Sequence, residues 1–550
     1  MENEFNKLFV GGDLSGIQKF LYNITSKHAS ISLKGRSAYL SEYLTSVYKD
    51  LESAITADGT ECSQLYCSGG KFYFTTQNTT KVTDIIDRIF REKEVQLWTQ
   101  HKGMLGLNIS YVAYKECNGK YYVMGHENEE ETNSGILWKY CNANFARLKN
   151  QKFRNHILKH YSDFFEVQQV GAKPKICALT GIESSECRHI TKADLKGIWQ
   201  SSAEFQEVKD NEDDMGNEPI YLPSVIEQII RGKSLSIEEH TKTFEEYATT
   251  DGGTLGDSYL GVLRMDIDGM GKRFIMGFPS LDAYRLFSQK VTNFFEGDKK
   301  KHIPSAIDIL LNKTTGNDQQ SNKTYKAYLN IIYAGGDDLF IVGRWDKLID
   351  FAKEIHDAVA NPGEEFKTPE YYFEREYQDT TDKENPNKHI SISGGITIVD
   401  PKFPIAKAAE LAGDAEEAAK SYRKEKDSFN MFGKTITWDK EFDKVSKYKN
   451  DFVSIITKNN SSRSILHKMM LYNDISERNM MHPDNKDYSY IWHSAYFLKR
   501  YKSRHNSKEI DSLCDNLSKQ LLNHRELQLI SVAARWAELT LRTSNHNSNN

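Results

Sequence analysis

Leu329-Asn330-Ile331-Ile332-Tyr333-Ala334-Gly335-Gly336-Asp337-Asp338-Leu339-Phe340-Ile341-Val342 is an apolar run, a glycine pair, two adjacent carboxylates and a second apolar run. Strand-like runs joined at Gly-Gly predict a β-hairpin, because both glycines accept the positive φ of a tight turn. Asp337 and Asp338 then stand at its tip. Upstream, Leu263-Arg264-Met265-Asp266-Ile267-Asp268-Gly269 sets two more acids at the end of a strand-like run. A neighbouring strand would bring Asp266 beside the tip. Carboxylates crowded together without basic partners raise one another's pKa. A hard divalent cation relieves that repulsion, and Mg²⁺ binds through one or two carboxylates plus substrate phosphates. The pattern therefore points to metal-dependent nucleotidyl transfer. Gly and Asp are also the ordinary residues of solvated turns; the balance shifts because the same two-part pattern occurs twice.

Near the N-terminus stands Phe9-Val10-Gly11-Gly12-Asp13-Leu14-Ser15-Gly16-Ile17-Gln18-Lys19. Asp13 falls on Asp266, Ser15 on Asp268, Gly16 on Gly269 and Lys19 on Lys272. Leu65-Tyr66-Cys67-Ser68-Gly69-Gly70-Lys71-Phe72 echoes the hairpin, with Lys71 aligned on Asp337. A third strand recurs as Leu105–Val112 against Ile390–Val399. A large internal repeat is an architectural signal: one α/β module is used twice, and only the second copy carries the full set of acids. The first copy's glycines and lysine remain suited to holding phosphates through backbone N–H groups and positive charge.

With 550 residues the chain exceeds one core and divides into several domains. The expected division is a first α/β module over 1–150, a cysteine-bearing linker over 151–255, a second module over 256–440 and a helical domain over 441–550. No apolar run approaches the roughly eighteen residues of a membrane helix, so no membrane partner is expected. Met1-Glu2-Asn3-Glu4 does not read as a secretion signal. Seven scattered cysteines make no disulfide framework and fit a reducing cytoplasm. The net charge of −5 does not announce a nucleic-acid binder, although Lys and Arg outnumber Asp and Glu beyond residue 440.

In the linker, Cys177 and Cys187, with His189 nearby, offer an irregular zinc set, against which stands the reading of two buried free cysteines. The acidic stretch Lys209–Asn217 reads as an exposed loop. Ile405–Lys420 has small and apolar residues at helical spacing. Lys420 and Lys424 near its end are either dipole partners or ligands of a triphosphate. The aromatics of Tyr488–Arg500 are read as core of a helical bundle rather than as base-stacking platforms, and Thr543–Asn550 as a polar tail.

The chain resembles the large, polymerase-like subunit of type III CRISPR effector complexes, in a form lacking the N-terminal histidine-aspartate nuclease domain. The resemblance rests on Gly12–Phe20, Ser32–Leu40, Ser68-Gly69-Gly70, the cysteine-bearing linker, Met265–Gly269 with Gly335–Asp338, and Ala495–Arg500. It implies an α+β chain with two ferredoxin-like palm domains facing each other across an ATP cleft. Guide and target RNA, with other subunits of the complex, would switch on synthesis of adenylate second messengers: cyclic oligoadenylate, or AMP joined to another acceptor such as S-adenosylmethionine. Asp266, Asp337 and Asp338 would be the catalytic acids and, with the carbonyl of Ile267, hold Mg²⁺ or Mn²⁺. Ser15, Gly16, Ser68, Gly69 and Gly70 would line the acceptor side. Asp268, Gly269, Gly335, Gly336, Lys420 and Lys424 would complete the nucleotide site. His356-Asp357 lacks partner histidines at useful spacing, so no DNase activity is expected. Two other readings remain open: a stand-alone cyclase similar to the diguanylate cyclases, and a non-catalytic RNA-binding scaffold.

Overall fold

The computed structural model describes residues 4–22, 24, 29–57, 59–101, 103–128, 133–159, 161, 175–178, 186–190, 220–223, 226, 242–249, 258–276, 278–298, 301–315, 323–373, 390–482, 484, 486–505 and 507–544. The acidic stretch 209–217 and most of the expected linker lie outside them, as does the end of the polar tail.

Two antiparallel-rich sheets organise these residues. The first comprises β1 (Lys7–Ser15), β2 (Cys62–Ser68), β3 (Lys71–Gln77), β4 (Gly106–Cys117) and β5 (Lys120–Val123), in the order β2-β3-β1-β4-β5. The second comprises β6 (Leu260–Ile267), β7 (Leu329–Gly335), β8 (Asp338–Arg344), β9 (Ile392–Val399), β10 (Ser428–Met431) and β11 (Lys434–Thr437), in the order β11-β10-β9-β6-β8-β7. Each sheet thus repeats one plan: the first strand sits centrally, flanked by the second strand of a hairpin and by a later strand. Long helices, Ala29–Thr56 and Thr80–His101, cross between the strands of the first sheet. Leu281–Phe295 and Trp345–Ala360 do so in the second. This is the ferredoxin-like palm arrangement, present twice.

The register corrects one detail of the repeat. Asp266 lies opposite Asp338, whereas Asp13 lies opposite Lys71. Lys71 is therefore the counterpart of Asp338, not of Asp337. The slip comes from the turns. Ser68 pairs with Lys71 around Gly69 and Gly70, both at positive φ, whereas Gly335 pairs with Asp338 around Gly336 and Asp337. Only Gly336 of those last two has positive φ, the pattern of a turn with glycine at its first central position. Gly335 ends a strand instead of forming the turn.

The two sheets meet at their hairpin tips. A Cβ on Gly69 would stand 2.8 Å from the Cα of Gly336, so backbone meets backbone where any side chain would intrude. The Gly336 amide donates to Ser68 Oγ at 2.9 Å. Around this contact, Asn330 reaches Ser30 at 2.8 Å, Arg285 reaches Ser63 at 2.6 Å, and the Ser134 amide donates to the carbonyl of Phe278 at 3.0 Å. Phe9, Tyr73 and Trp138 of the first half share one apolar core with Tyr284 and Phe287 of the second. Burial at roughly 25 cal/mol per Å² of apolar surface is what holds the halves together; the few polar contacts fix the register.

Helices Phe442–Lys458, Ser464–Met481, Ser489–His505, Lys508–Gln520 and His524–Ser544 form the C-terminal bundle. It packs on the β10–β11 edge, where Trp438 and Phe442 sit 5.0 Å apart and Arg525 binds Glu441 and the Thr435 carbonyl. The core reading of its aromatics holds only in part. Tyr490, Leu498 and Tyr501 are buried, but Tyr488, Trp492 and Tyr496 are exposed. Among the described residues no helix is long and apolar enough to cross a membrane.

Candidate functional site

Strand alternation puts Arg264 and Asp266 on the same face of β6, and the pairing with β8 sets Asp338 directly across from Asp266. Asp337 occupies the adjoining turn, and its carbonyl accepts the Ile267 amide at 3.2 Å. One carboxylate oxygen from each of Asp266, Asp337 and Asp338 lies within 4.8 Å of the others. Three acids from two distant segments therefore share one cluster.

Their electrostatics follow from that crowding. Burial first, then the neighbouring Asp338, pushes Asp266 up to about 8, against the pull of Lys420. Burial and Asp266 push Asp337 up to about 7, opposed chiefly by Lys71 of the other sheet. Asp338 is raised by burial and by Asp337. Lys420 donates to Asp266 and, at 2.6 Å, to Glu416. Burial works against its ammonium, but those two carboxylates hold its pKa above the ordinary lysine value. Arg264 closes the network on Glu416 at 3.2 Å. An all-oxygen set of half-buried carboxylates that resist ionising is the donor chemistry of a hard divalent cation. Lys420 supplies a positive charge at the place such a cation would compensate.

The remaining expected residues divide. Ser68, Gly69 and Gly70 abut Gly335 and Gly336, and a cavity of about 400 Å³ beside them is also lined by Ser37, Ser41, Thr45, Glu296 and Tyr333. Ser68 Oγ donates to Glu296. Ser15 turns back to the Gly106 carbonyl at 3.0 Å, and Gly16 and Gly269 both have positive φ, as expected of counterparts. Asp268 stands apart from the triad. Its Oδ2 accepts Ser391 Oγ at 2.8 Å, Ser393 Oγ at 3.0 Å and the Asp427 amide at 3.0 Å, which makes it a buried brace. Lys424 is exposed beyond the end of helix Ile405–Ser421. Cys177 and Cys187 are buried in the first sheet's core, and among the described residues only the aspartate triad gathers as a metal-ligating group, while most of the linker that would complete a zinc set lies outside those residues. His356 is buried between Asp357 and Asp427, at 3.1 and 2.9 Å, and stacks on Trp438.

Sequence reading missed Glu416, Arg264 and Glu296. Glu416 is one helical turn before Lys420, and that i, i+4 spacing was a usable signal. The glycine pair in β9 was another. A Cβ on Gly395 would lie 2.3 Å from the Glu416 nitrogen, so glycine there lets the helix carrying Lys420 approach the sheet.

Residues 259–430 match the family described as Cas10/Cmr2, second palm domain, and residues 6–169 match Csm1 subunit domain B. A Cas10/Csm1 protein of Enterococcus italicus, named a CRISPR system single-strand-specific deoxyribonuclease of subtype III-A, is 26% identical over 476 residues, covering 80% of this chain and 56% of that protein. Its namesake from Methanocaldococcus jannaschii is 24% identical over 530 residues, covering 80% and 61%. The chain thus spans somewhat over half the length of these relatives. Among solved structures, a Csm1–Csm4 cassette in complex with cA4 aligns with a TM-score of 0.59 at 17% identity, covering 98% of this chain and 70% of that one. The same cassette in complex with one ATP aligns with a TM-score of 0.57 at 17% identity, over 96% and 70%. One family match on each of the two sheets, together covering more than half of the chain, makes this protein a member of the Cas10/Csm1 family.

Proposed function

We propose that this chain is the RNA-activated nucleotidyltransferase subunit of a cytoplasmic type III CRISPR antiviral complex, converting ATP to adenylate second messengers. The observation that carries the reading is the convergence of Asp266, Asp337 and Asp338 within 4.8 Å. These acids, with the Ile267 carbonyl, would hold Mg²⁺ or Mn²⁺. Such ions neutralise charge on the entering and leaving oxygens when a ribose hydroxyl displaces pyrophosphate at an α-phosphate. Lys420 sits beside Asp266 and orients the donor triphosphate once the acids are occupied. Ser15, Gly16 and Ser68–Gly70 of the first palm hold the acceptor, which is a second adenylate or another molecule such as S-adenosylmethionine. Guide RNA, target RNA and further subunits of the complex gate the reaction. A family relative whose solved cassette holds Csm4 with ATP or cA4 supports that substrate class.

The test is labelled ATP with Mg²⁺, in the assembled complex with and without target RNA, the product being identified by mass spectrometry. Asp337→Ala with Asp338→Ala should abolish ATP consumption while circular dichroism stays unchanged. Undiminished turnover in that double variant would remove the assignment.

A further inference from the structure

The helix Ser489–His505 reads SYIWHSAYFLKRYKSRH and contains no acidic residue. Its buried side, Tyr490, Ser494, Leu498 and Tyr501, is the apolar stripe that anchors it in the bundle. The other side is unusual. Tyr488, Trp492 and Tyr496 are 58%, 61% and 62% exposed, and Arg500 and Arg504 continue the same row, both exposed. Trp492, Tyr496, Arg500 and Arg504 step by four residues and form one ridge on the helix surface, with Tyr488 immediately before its first turn. Single exposed apolar residues are ordinary; three large aromatics together facing solvent mark a recognition surface.

We propose that this ridge binds single-stranded nucleic acid, the rings stacking on bases and the arginines holding the phosphates that follow. The charge pattern selects this partner. Aromatics with arginine also occur in protein interfaces, but here the row runs on into two guanidinium groups, with Lys499 exposed beside them and no acid anywhere on the helix. The acids at its margin are engaged: Asp487 Oδ1 accepts the Ser489 amide at 2.8 Å, and Asp515 binds Lys502 at 2.7 Å. Spacing selects the single strand. Four residues of helix rise about 6 Å, whereas stacked bases of a duplex repeat every ~3.4 Å, so neighbouring rings address bases that have been drawn apart. Ring stacking tolerates any base, because every base has a π-face.

The inference does not rest on the catalytic reading. Its test is fluorescence anisotropy of the full chain with labelled oligo(U), oligo(dT) and a duplex of the same length, across a salt series. The single strands should bind more tightly than the duplex. Trp492→Ala with Tyr496→Ala should weaken single-strand binding ten-fold or more and leave the salt slope unchanged. Arg500→Gln with Arg504→Gln should flatten the log–log salt slope by about 1.4, two phosphate contacts at ~0.7 each. Oligo(U) and oligo(dT) separate an RNA from a DNA source of the strand. The Asp337→Ala, Asp338→Ala chain should bind like the parent, so that failure of catalysis and failure of this surface remain distinguishable. Parent-like affinity in the aromatic double variant, or equal binding of the duplex, would overturn the proposal.

Discussion

Asp337 is a half-buried acid whose carboxyl sits at about 7 rather than in the ordinary range, because burial and Asp266 both disfavour its ionised form. The folded chain therefore binds a proton that the unfolded chain has already released between the unfolded value of about 4 and pH 7. Stability falls as pH rises through that window. Asp337→Asn should raise the metal-free unfolding midpoint at pH 8 by a few degrees, equivalent to about 1 kcal/mol, and the gain should vanish near pH 4. Adding Mg²⁺ should reverse the order, raising the midpoint of the parent more than that of the variant. Calorimetry with and without EDTA at the two pH values decides this; a gain that persists at pH 4 would mean that charge is not its cause. At the same scale, Lys420→Ala should cut kcat/KM for ATP ten- to a hundred-fold, about 1.4–2.7 kcal/mol of transition-state stabilisation, with Lys420→Arg recovering part of it. Steady-state kinetics of the assembled complex provides the check.

Among the elements, helix Ile405–Ser421 is placed by a close backbone approach. It lies over Gly395 of β9, where an added Cβ would come within 2.3 Å of backbone. Through that approach Lys420 and Glu416 reach Asp266 and Arg264 of β6. Gly395→Val should push the helix off the sheet, costing 1–3 kcal/mol or about that in overpacking. ATP turnover should fall together with the unfolding midpoint, in contrast to Lys420→Ala, which should lower turnover alone. A variant that kept full turnover would show that the helix need not approach this closely. The hairpin tips act at the same level. Gly69 at φ +57° and Gly336 at φ +66° meet across the interface, so the turn geometry of one palm is felt by the acids of the other, and Lys71 lends its charge to Asp337.

At the level of the whole molecule, the bundle is tied to the second palm by a multidentate arginine, beside which Lys434 of β11 binds Glu477 at 2.6 Å. Arg525 contacts Glu441 at 2.8 and 2.5 Å and the Thr435 carbonyl at 2.8 Å, and it is only 27% exposed. Arg525→Ala leaves the Glu441 carboxylate without its main partner. A loss of about 1–3 kcal/mol is expected, read as earlier hydrogen exchange in helix His524–Ser544 and the β10–β11 edge. Uniform loosening of both palms instead would show that the bundle and palms unfold as one unit.

How much of this was written in the chain order differs by feature. The duplication, the strands and the three acids were legible, because apolar runs of strand length, Gly-rich turns and paired carboxylates are local patterns that survive being read one residue after another. The pairing register was not: Lys71 looked equivalent to Asp337 by counting from the glycines, and became the counterpart of Asp338 only because the two turns centre on different residues. Asp268 looked like a fourth site acid, yet three donors from segments far along the chain claim its carboxylate. The aromatics of helix Ser489–His505 looked like core, since periodicity marks amphipathic residues without saying how many faces find a neighbour. The amino-acid order alone determined which chemical groups this protein owns and in which strands and turns they sit. Which of them meet, which are braced and which face water was decided only by tertiary packing, since hydrogen bonds, charge coupling and burial depend on distances that the chain acquires when it folds.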